Sequence, residues 1–129
     1  MLNHKLKKCQ FLWSVPKLID FYSFGQIIVD GKRYTNDIII FPNRIRDNWW
    51  RKEGHRIEIE DLKEVIQEEP EILVVGTGYF GFVKVSAEVK EYVKGKGIEL
   101  TIQSTKDACN TFNSFKSGKK VVAALHLAC

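Results

Sequence analysis

Short apolar runs broken by turn residues open the readable part of this chain. Gln26-Ile-Ile-Val29 is followed by Asp30-Gly31 and then by Lys32-Arg-Tyr34. Asp-Gly supplies the two positive-φ positions that a two-residue hairpin turn prefers, so these residues predict a β-hairpin. Ile38-Ile-Ile-Phe41, ended by Pro42-Asn43, predicts a short buried strand with a turn behind it. Residues 43–56 show no clear period and read as a loop holding two adjacent tryptophans among five basic side chains. A helix follows over residues 60–69. Leu62, Val65 and Ile66 share one stripe, Glu60 and Asp61 suit the positive end of the dipole, and Pro70 stops it.

From Pro70 onward, strand and helix patterns alternate. Ile72-Leu-Val-Val75 reads as a buried strand and Gly76-Thr-Gly-Tyr-Phe-Gly81 as a loop. Ser86 is placed to cap a helix carrying Val89, Tyr92 and Val93, which Gly95 and Gly97 end. Ile98-Glu-Leu-Thr-Ile-Gln103 alternates strictly, as a strand near a sheet edge does when one face is less buried than the other. Ser104 or Thr105 caps a last helix with Ala108, Cys109, Phe112 and Phe115 on its apolar stripe and Gly118 at its exit. Val121-Val-Ala-Ala-Leu-His-Leu-Ala-Cys129 is almost continuously apolar, the pattern of a central strand covered on both faces. Right-handed crossovers make the last three strands parallel, with one helix in each connection. The fold class is α/β: a single layered domain with a mixed central sheet, an N-terminal β-hairpin and a C-terminal parallel βαβαβ unit over residues 21–129. Residues 1–20 are expected to form a mobile N-terminal extension.

A length of 129 residues suits one core, since domains run to about 100–150 residues. The net charge of +4 invites a nucleic-acid reading until its location is considered. Four lysines (Lys5, Lys7, Lys8, Lys17) precede the first acidic residue, Asp20; the remaining 16 Lys and Arg are balanced by 16 Asp and Glu. A neutral body without a basic face is not built to neutralise phosphates, so nucleic acid is not expected as a partner. No apolar stretch reaches the ~20 residues a membrane helix needs, and no membrane span is expected. Three cysteines without Cys-x-x-Cys spacing fit a reducing compartment, which points to the cytoplasm. The acid-free amino-terminal arm makes a mitochondrial leader the alternative.

Gly76-x-Gly78-x-x-Gly81 after a strand has the glycine spacing of a dinucleotide-binding turn, with Glu99 as the ribose-binding acid. Two details oppose it. Phe82-Val-Lys-Val85 separates the third glycine from any helix, so no dipole meets a pyrophosphate. Glu99 also starts its strand rather than ending it. A tight turn needing glycine's backbone freedom is the simpler account. His126 and Cys129 offer ligand or nucleophile chemistry, but an offset of three on a regular strand sends their side chains to opposite faces. Cys109, on an apolar helix stripe, reads as a small buried hydrophobe. No catalytic residue, metal ligand or cofactor is assigned.

Two candidate surfaces remain. Trp49, Trp50 and Arg51 either stack on a partner or cover the sheet. Parallel strands would also deliver Gly76-Thr77-Gly78, Ser104-Thr105 and His126 to Cys129 to one carboxyl edge, where α/β sheets place ligand crevices.

Several segments together resemble the Mth938-like domain family. They are the Asp30-Gly31 hairpin with Asn36-Asp37-Ile38, Gly54-His55 before the 60–69 helix, Val74-Val-Gly-Thr-Gly78, Thr105 to Asn113, and above all Ala123-Ala-Leu-His-Leu-Ala-Cys129. That family takes in uncharacterised archaeal and bacterial proteins and a mitochondrial assembly factor for respiratory complex I. The resemblance implies a compact α/β domain around a mixed sheet with a surface cleft and no established catalytic residue or cofactor. Its typical positions fall here on His55, Gly76, Gly78, Thr105, Asn113, His126 and Cys129. The expectation is a non-enzymatic accessory or protein-binding domain; the alternative is a small-molecule or nucleotide-binding domain with its cleft at the carboxyl edge.

Overall fold

The computed structural model describes residues 17–115 and 118–129. The expected mobile extension therefore lies, for residues 1–16, outside the described residues. Residues 17–20 depart from that expectation. Strand β1 (Ile19–Ser23) pairs antiparallel with β2 (Gln26–Val29), and Ile19 is buried opposite Val29. β2 turns at Asp30-Gly31, both at positive φ (50° and 81°), into β3 (Lys32–Tyr34), which gives the expected hairpin and a three-stranded sheet ordered β1-β2-β3.

The larger sheet has five strands ordered β5-β4-β10-β7-β9. β4 (Ile38–Phe41) turns at Pro42-Asn43 into β5 (Arg44–Arg46), which lies inside the segment read as a loop. Three residues are too short to display a period. β5 is held by its neighbours: Arg44 covers the Phe41 ring and pairs with Glu64 and Glu68, and Arg46 pairs with Glu64. The same segment ends in β6 (Arg56–Ile57), paired in parallel with β8 (Lys84–Val85). β7 (Ile72–Thr77) runs two residues further than expected, taking Gly76 and Thr77 out of the loop. β9 (Glu99–Gln103) lies at the sheet edge, as its alternation implied. β10 (Val121–His126) sits centrally, antiparallel to β4 and parallel to β7, which is parallel to β9.

Period-two alternation along the buried strands divides the core into two layers. Ile38, Ile40, Ile72, Val74, Val121, Ala123 and Leu125 face the three-stranded sheet and helix α3 (Thr105–Ser114), with Ala108, Cys109 and Phe112. Ile39, Phe41, Leu73, Val75, Val122 and Ala124 face the other way. They meet a 3-10 turn (Ile59–Leu62) running into helix α1 (Lys63–Glu68), and helix α2 (Ala87–Gly95). The single 60–69 helix is thus two pieces; Glu69 leaves it at φ 55° ahead of Pro70. Ser86 caps α2 by accepting from the Val89 N–H, and Val89 and Val93 are buried while Tyr92 is exposed. Ser104 takes the cap position of α3 without a side-chain cap bond.

Leu73→Ala, in the middle of this two-faced core, is expected to cost about 2–5 kcal/mol in urea unfolding, against about 0.5 kcal/mol or less for Tyr92→Ala. Equal losses would contradict the layering.

Candidate functional site

Register brings the expected segments together at the carboxyl edge: Leu125 pairs with Gly76, His126 with Thr77, and Gly76 with Gln103. What they do there is bond to one another. The Thr105 hydroxyl, fully buried, donates to the His126 carbonyl (2.6 Å) and accepts from the Gly78 N–H (2.8 Å), while the Thr105 N–H donates to the Gly78 carbonyl (3.1 Å). Thr77 donates to the Gln103 carbonyl (3.0 Å). A Cβ on Gly76 would stand 2.8 Å from both Leu125 Cδ2 and Thr105 Oγ1. One on Gly78 would stand 2.9 Å from the Ala128 carbonyl and from His126 Cδ2, at φ 109°. Both glycines permit close approach of chain to chain, and Gly78 also takes a conformation that L side chains avoid.

A buried charged centre adjoins this seam. The Asp37 carboxylate, at the start of β4, meets Arg51 Nη1 at 2.8 Å and His126 Nδ1 at 2.7 Å through Oδ2, and accepts from the Leu127 N–H at 2.8 Å through Oδ1. Arg51 also donates to the Gly54 carbonyl (2.7 Å), and its side chain is 4% exposed. Burial pushes the Asp37 carboxyl up, but hydrogen bonds from His126, the Leu127 N–H and Arg51 outweigh it and hold the group below its ordinary value. His126 Nδ1 is shared between Asp37, which accepts from it when it carries the ring proton, and Arg51 Nη2 at 3.1 Å. An Asp-oriented histidine is half of a general-base pair, yet its Nε2 is enclosed without a partner among the described residues, and Gly78 packs against the neighbouring Cδ2.

The Trp49-Trp50-Arg51 run separates into three roles. Trp49 is buried and donates its indole N–H to the Asp61 carbonyl, Arg51 belongs to the charged centre, and Trp50 alone is 76% exposed. Trp50 lines an open cleft of about 740 Å³ with Arg46, Asn48, Lys52, Lys63 and Gln67. His55 is exposed, its ring edge-on to that of His126 at 6.4 Å. Ser104 is half-buried at the start of α3, and Cys129 is an exposed free thiol. Asn113 lies at the far end of α3, where its amide bonds both the N–H (2.9 Å) and the carbonyl (2.8 Å) of Ile19, completing β1. Burial pushes the Cys109 thiol up to about 12, which fits an inert core residue.

Sequence reasoning passes over the most exposed apolar surface. Phe24, in the β1–β2 turn, and Tyr79, Phe80 and Phe82, after β7, are 48–59% exposed. Their rings touch: Phe24 to Tyr79 at 5.5 Å, Tyr79 to Phe80 at 5.1 Å and Phe80 to Phe82 at 5.6 Å. Three aromatics within four residues, preceded by Gly78 and interrupted by Gly81, fit neither core period and were the available signal. Asp37, quoted only as a mark of resemblance, is the other omission.

A layered α/β domain with a self-bonded polar seam and an aromatic ridge at one sheet edge is the class of molecule so described. Residues 19–126 match the family model described as a protein of unknown function (DUF498/DUF598), and the chain belongs to that family. Among curated relatives, the NADH dehydrogenase (ubiquinone) 1 alpha subcomplex assembly factor 3 of Danio rerio is 40% identical over 114 residues, 86% of this chain and 64% of that protein. The chain spans 52–64% of the length of the curated relatives it matches. A conserved hypothetical protein of Pyrococcus horikoshii OT3 has a TM-score of 0.73 at 28% identity, covering 86% of this chain and 98% of that one. A Mth938-like domain of Bordetella pertussis, at 18% identity and a TM-score of 0.60 over 86% of this chain and 85% of that one, shares the fold. Among the described residues no helix is long and apolar enough to cross a membrane.

Gly78→Ala is expected to lower unfolding stability by about 2–4 kcal/mol through contact and backbone strain together, measured by denaturant titration; a loss under 0.5 kcal/mol would remove the close-approach account. Asp37→Asn is expected to cost about 3–5 kcal/mol at pH 7, because Arg51 stays buried without its carboxylate. Since the folded Asp37 carboxyl lies below its unfolded value, its stabilisation is present above about pH 4 and lost as the pH falls below that. The wild-type melting temperature should therefore fall more steeply on acidification than that of Asp37→Asn, and parallel curves would contradict it.

Proposed function

We propose that this chain is a non-enzymatic accessory domain that binds a partner protein through the ridge of Phe24, Tyr79, Phe80 and Phe82. One observation carries the reading: four half-exposed rings in mutual contact, standing on loops whose backbone is bonded to the core. A contiguous exposed apolar patch of this kind marks an interaction site, and aromatic anchors are the residues whose loss costs an interface ~2 kcal/mol or more. The name of the relatives supports a role in assembling NADH dehydrogenase (ubiquinone), with a subunit or fellow assembly protein as the partner. The same relatives favour a mitochondrial location over the cytoplasmic one suggested by cysteine usage.

The candidate cleft positions Gly76, Thr77, Gly78, Ser104, Thr105 and His126 serve in this reading as the frame of the ridge, and Asn113 holds β1. A small-molecule crevice at the carboxyl edge has less support, because Thr77, Gly78 and Thr105 are satisfied internally and the unpartnered His126 Nε2 is enclosed. His55 and Cys129 are the places such a ligand would touch; the cleft beside Trp50 is lined by neither.

Site-specific photo-crosslinking in the native organelle tests the proposal. A photoreactive phenylalanine analogue at position 80 is expected to capture a subunit or assembly protein of the NADH dehydrogenase, and Phe80→Asp to reduce co-purification of that protein at least tenfold while the melting temperature holds. Capture through position 50 and not position 80 would refute the ridge.

A further inference from the structure

Both halves of the ridge hang from one short stretch of chain. The Leu127 carbonyl accepts from the Gly25 N–H (2.9 Å), next to Phe24, and from the Tyr22 hydroxyl (2.8 Å). The Ala128 carbonyl accepts from the Tyr79 N–H (2.9 Å), next to Phe80. The His126 carbonyl accepts from Thr105, whose hydroxyl also receives the Gly78 N–H. Three consecutive carbonyls therefore set the entry to both aromatic loops, and residues 126–128 act as a strut between them.

The strut is in turn fixed from beneath. Asp37 holds the Leu127 N–H with one oxygen and the His126 ring with the other, and Arg51 pins the carboxylate, itself tied to Gly54. Asp37 touches no ridge ring, and its own backbone carbonyl accepts from the Trp49 N–H at 2.7 Å. The aromatic loops thus take their position from a carboxylate that is four-fifths buried beneath the strut.

We propose that Asp37 is the positioning residue of the aromatic docking surface: through the strut of His126, Leu127 and Ala128 it makes the two loops one preorganised unit. The functional importance of this arrangement rests on the docking reading above; the mechanical coupling does not. Preorganisation matters because side chains ordered before encounter need not be ordered during it.

Amide hydrogen exchange followed by NMR on the isolated protein reads the coupling without any partner. Gly25 and Tyr79 are the reporters, and Leu73 and Val74, in β7 paired on both sides at the centre of the sheet, are the controls for global opening. In Asp37→Asn, both reporters are expected to exchange at least tenfold faster relative to the controls. Thr105→Val, nearly isosteric, cuts the bonds to the Gly78 N–H and the His126 carbonyl, and it is compared in wild-type and Tyr22→Phe backgrounds because the Thr105 hydroxyl also neighbours that of Tyr22. In both it is expected to speed Gly25 exchange several-fold, because the strut carries the disturbance across. Should Asp37→Asn fail to fold, Thr105→Val decides alone. A Gly25 amide unchanged in Thr105→Val, or reporters that move only with the controls, would overturn the proposal. Phe80→Asp is expected to leave both reporters at wild-type rates. Loss of docking and loss of coupling are therefore read separately.

Discussion

A single partly buried carboxylate holds three distant parts of this molecule in place. Asp37 stands at the start of β4 and bonds to Arg51 in the following loop and to His126 and Leu127 at the end of β10. An isolated ion in such a place would be expelled by its desolvation cost, so the centre exists only because each partner supplies a donor at hydrogen-bond distance. The requirement works in both directions. Arg51, almost wholly enclosed, has no solvent to fall back on and depends on the same carboxylate.

At the carboxyl edge most polar groups are turned inward and the aromatic rings outward. Catalytic pockets keep a few polar groups unspent and aim them at a substrate. At this edge the hydroxyl of Thr105, the amide of Gly78 and the carboxylate of Asp37 are committed internally, and aromatic rings face outward. Rigid polar scaffolding beneath exposed rings is suited to recognition of a surface.

Strands with long period-two or continuous apolar runs were legible from sequence, because burial on one or both faces leaves a pattern in consecutive residues. That is why β4, β7, β9 and β10 and their order of appearance could be read. β5, β6 and β8 could not, since two or three residues carry no period and are held by contacts from elsewhere, as Arg44 is by Glu64 and Glu68. The convergence at the carboxyl edge followed from parallel pairing alone. The charged centre did not, because its members lie 14 and 89 residues from Asp37 and nothing local in Asn36-Asp37-Ile38 distinguishes a bridging carboxylate from a turn residue. Trp49 and Trp50 illustrate the same limit: adjacent and chemically identical, they part company because Trp49 packs into the core and its indole N–H reaches Asp61.

The position of β10 has a consequence for how the chain is made. Among the described strands it is the last in sequence and the one that lies between β4 and β7, with Ile40 paired to Ala123 across more than eighty residues. Until it emerges from the ribosome, β4 and β7 present apolar strands with open edges, the form of nascent chain most prone to wrong pairing. Completion of the sheet is consequently a late, long-range event governed by loop-closure entropy. A ribosome that stalls before Val121 leaves its product with two half-sheets and no seam to join them.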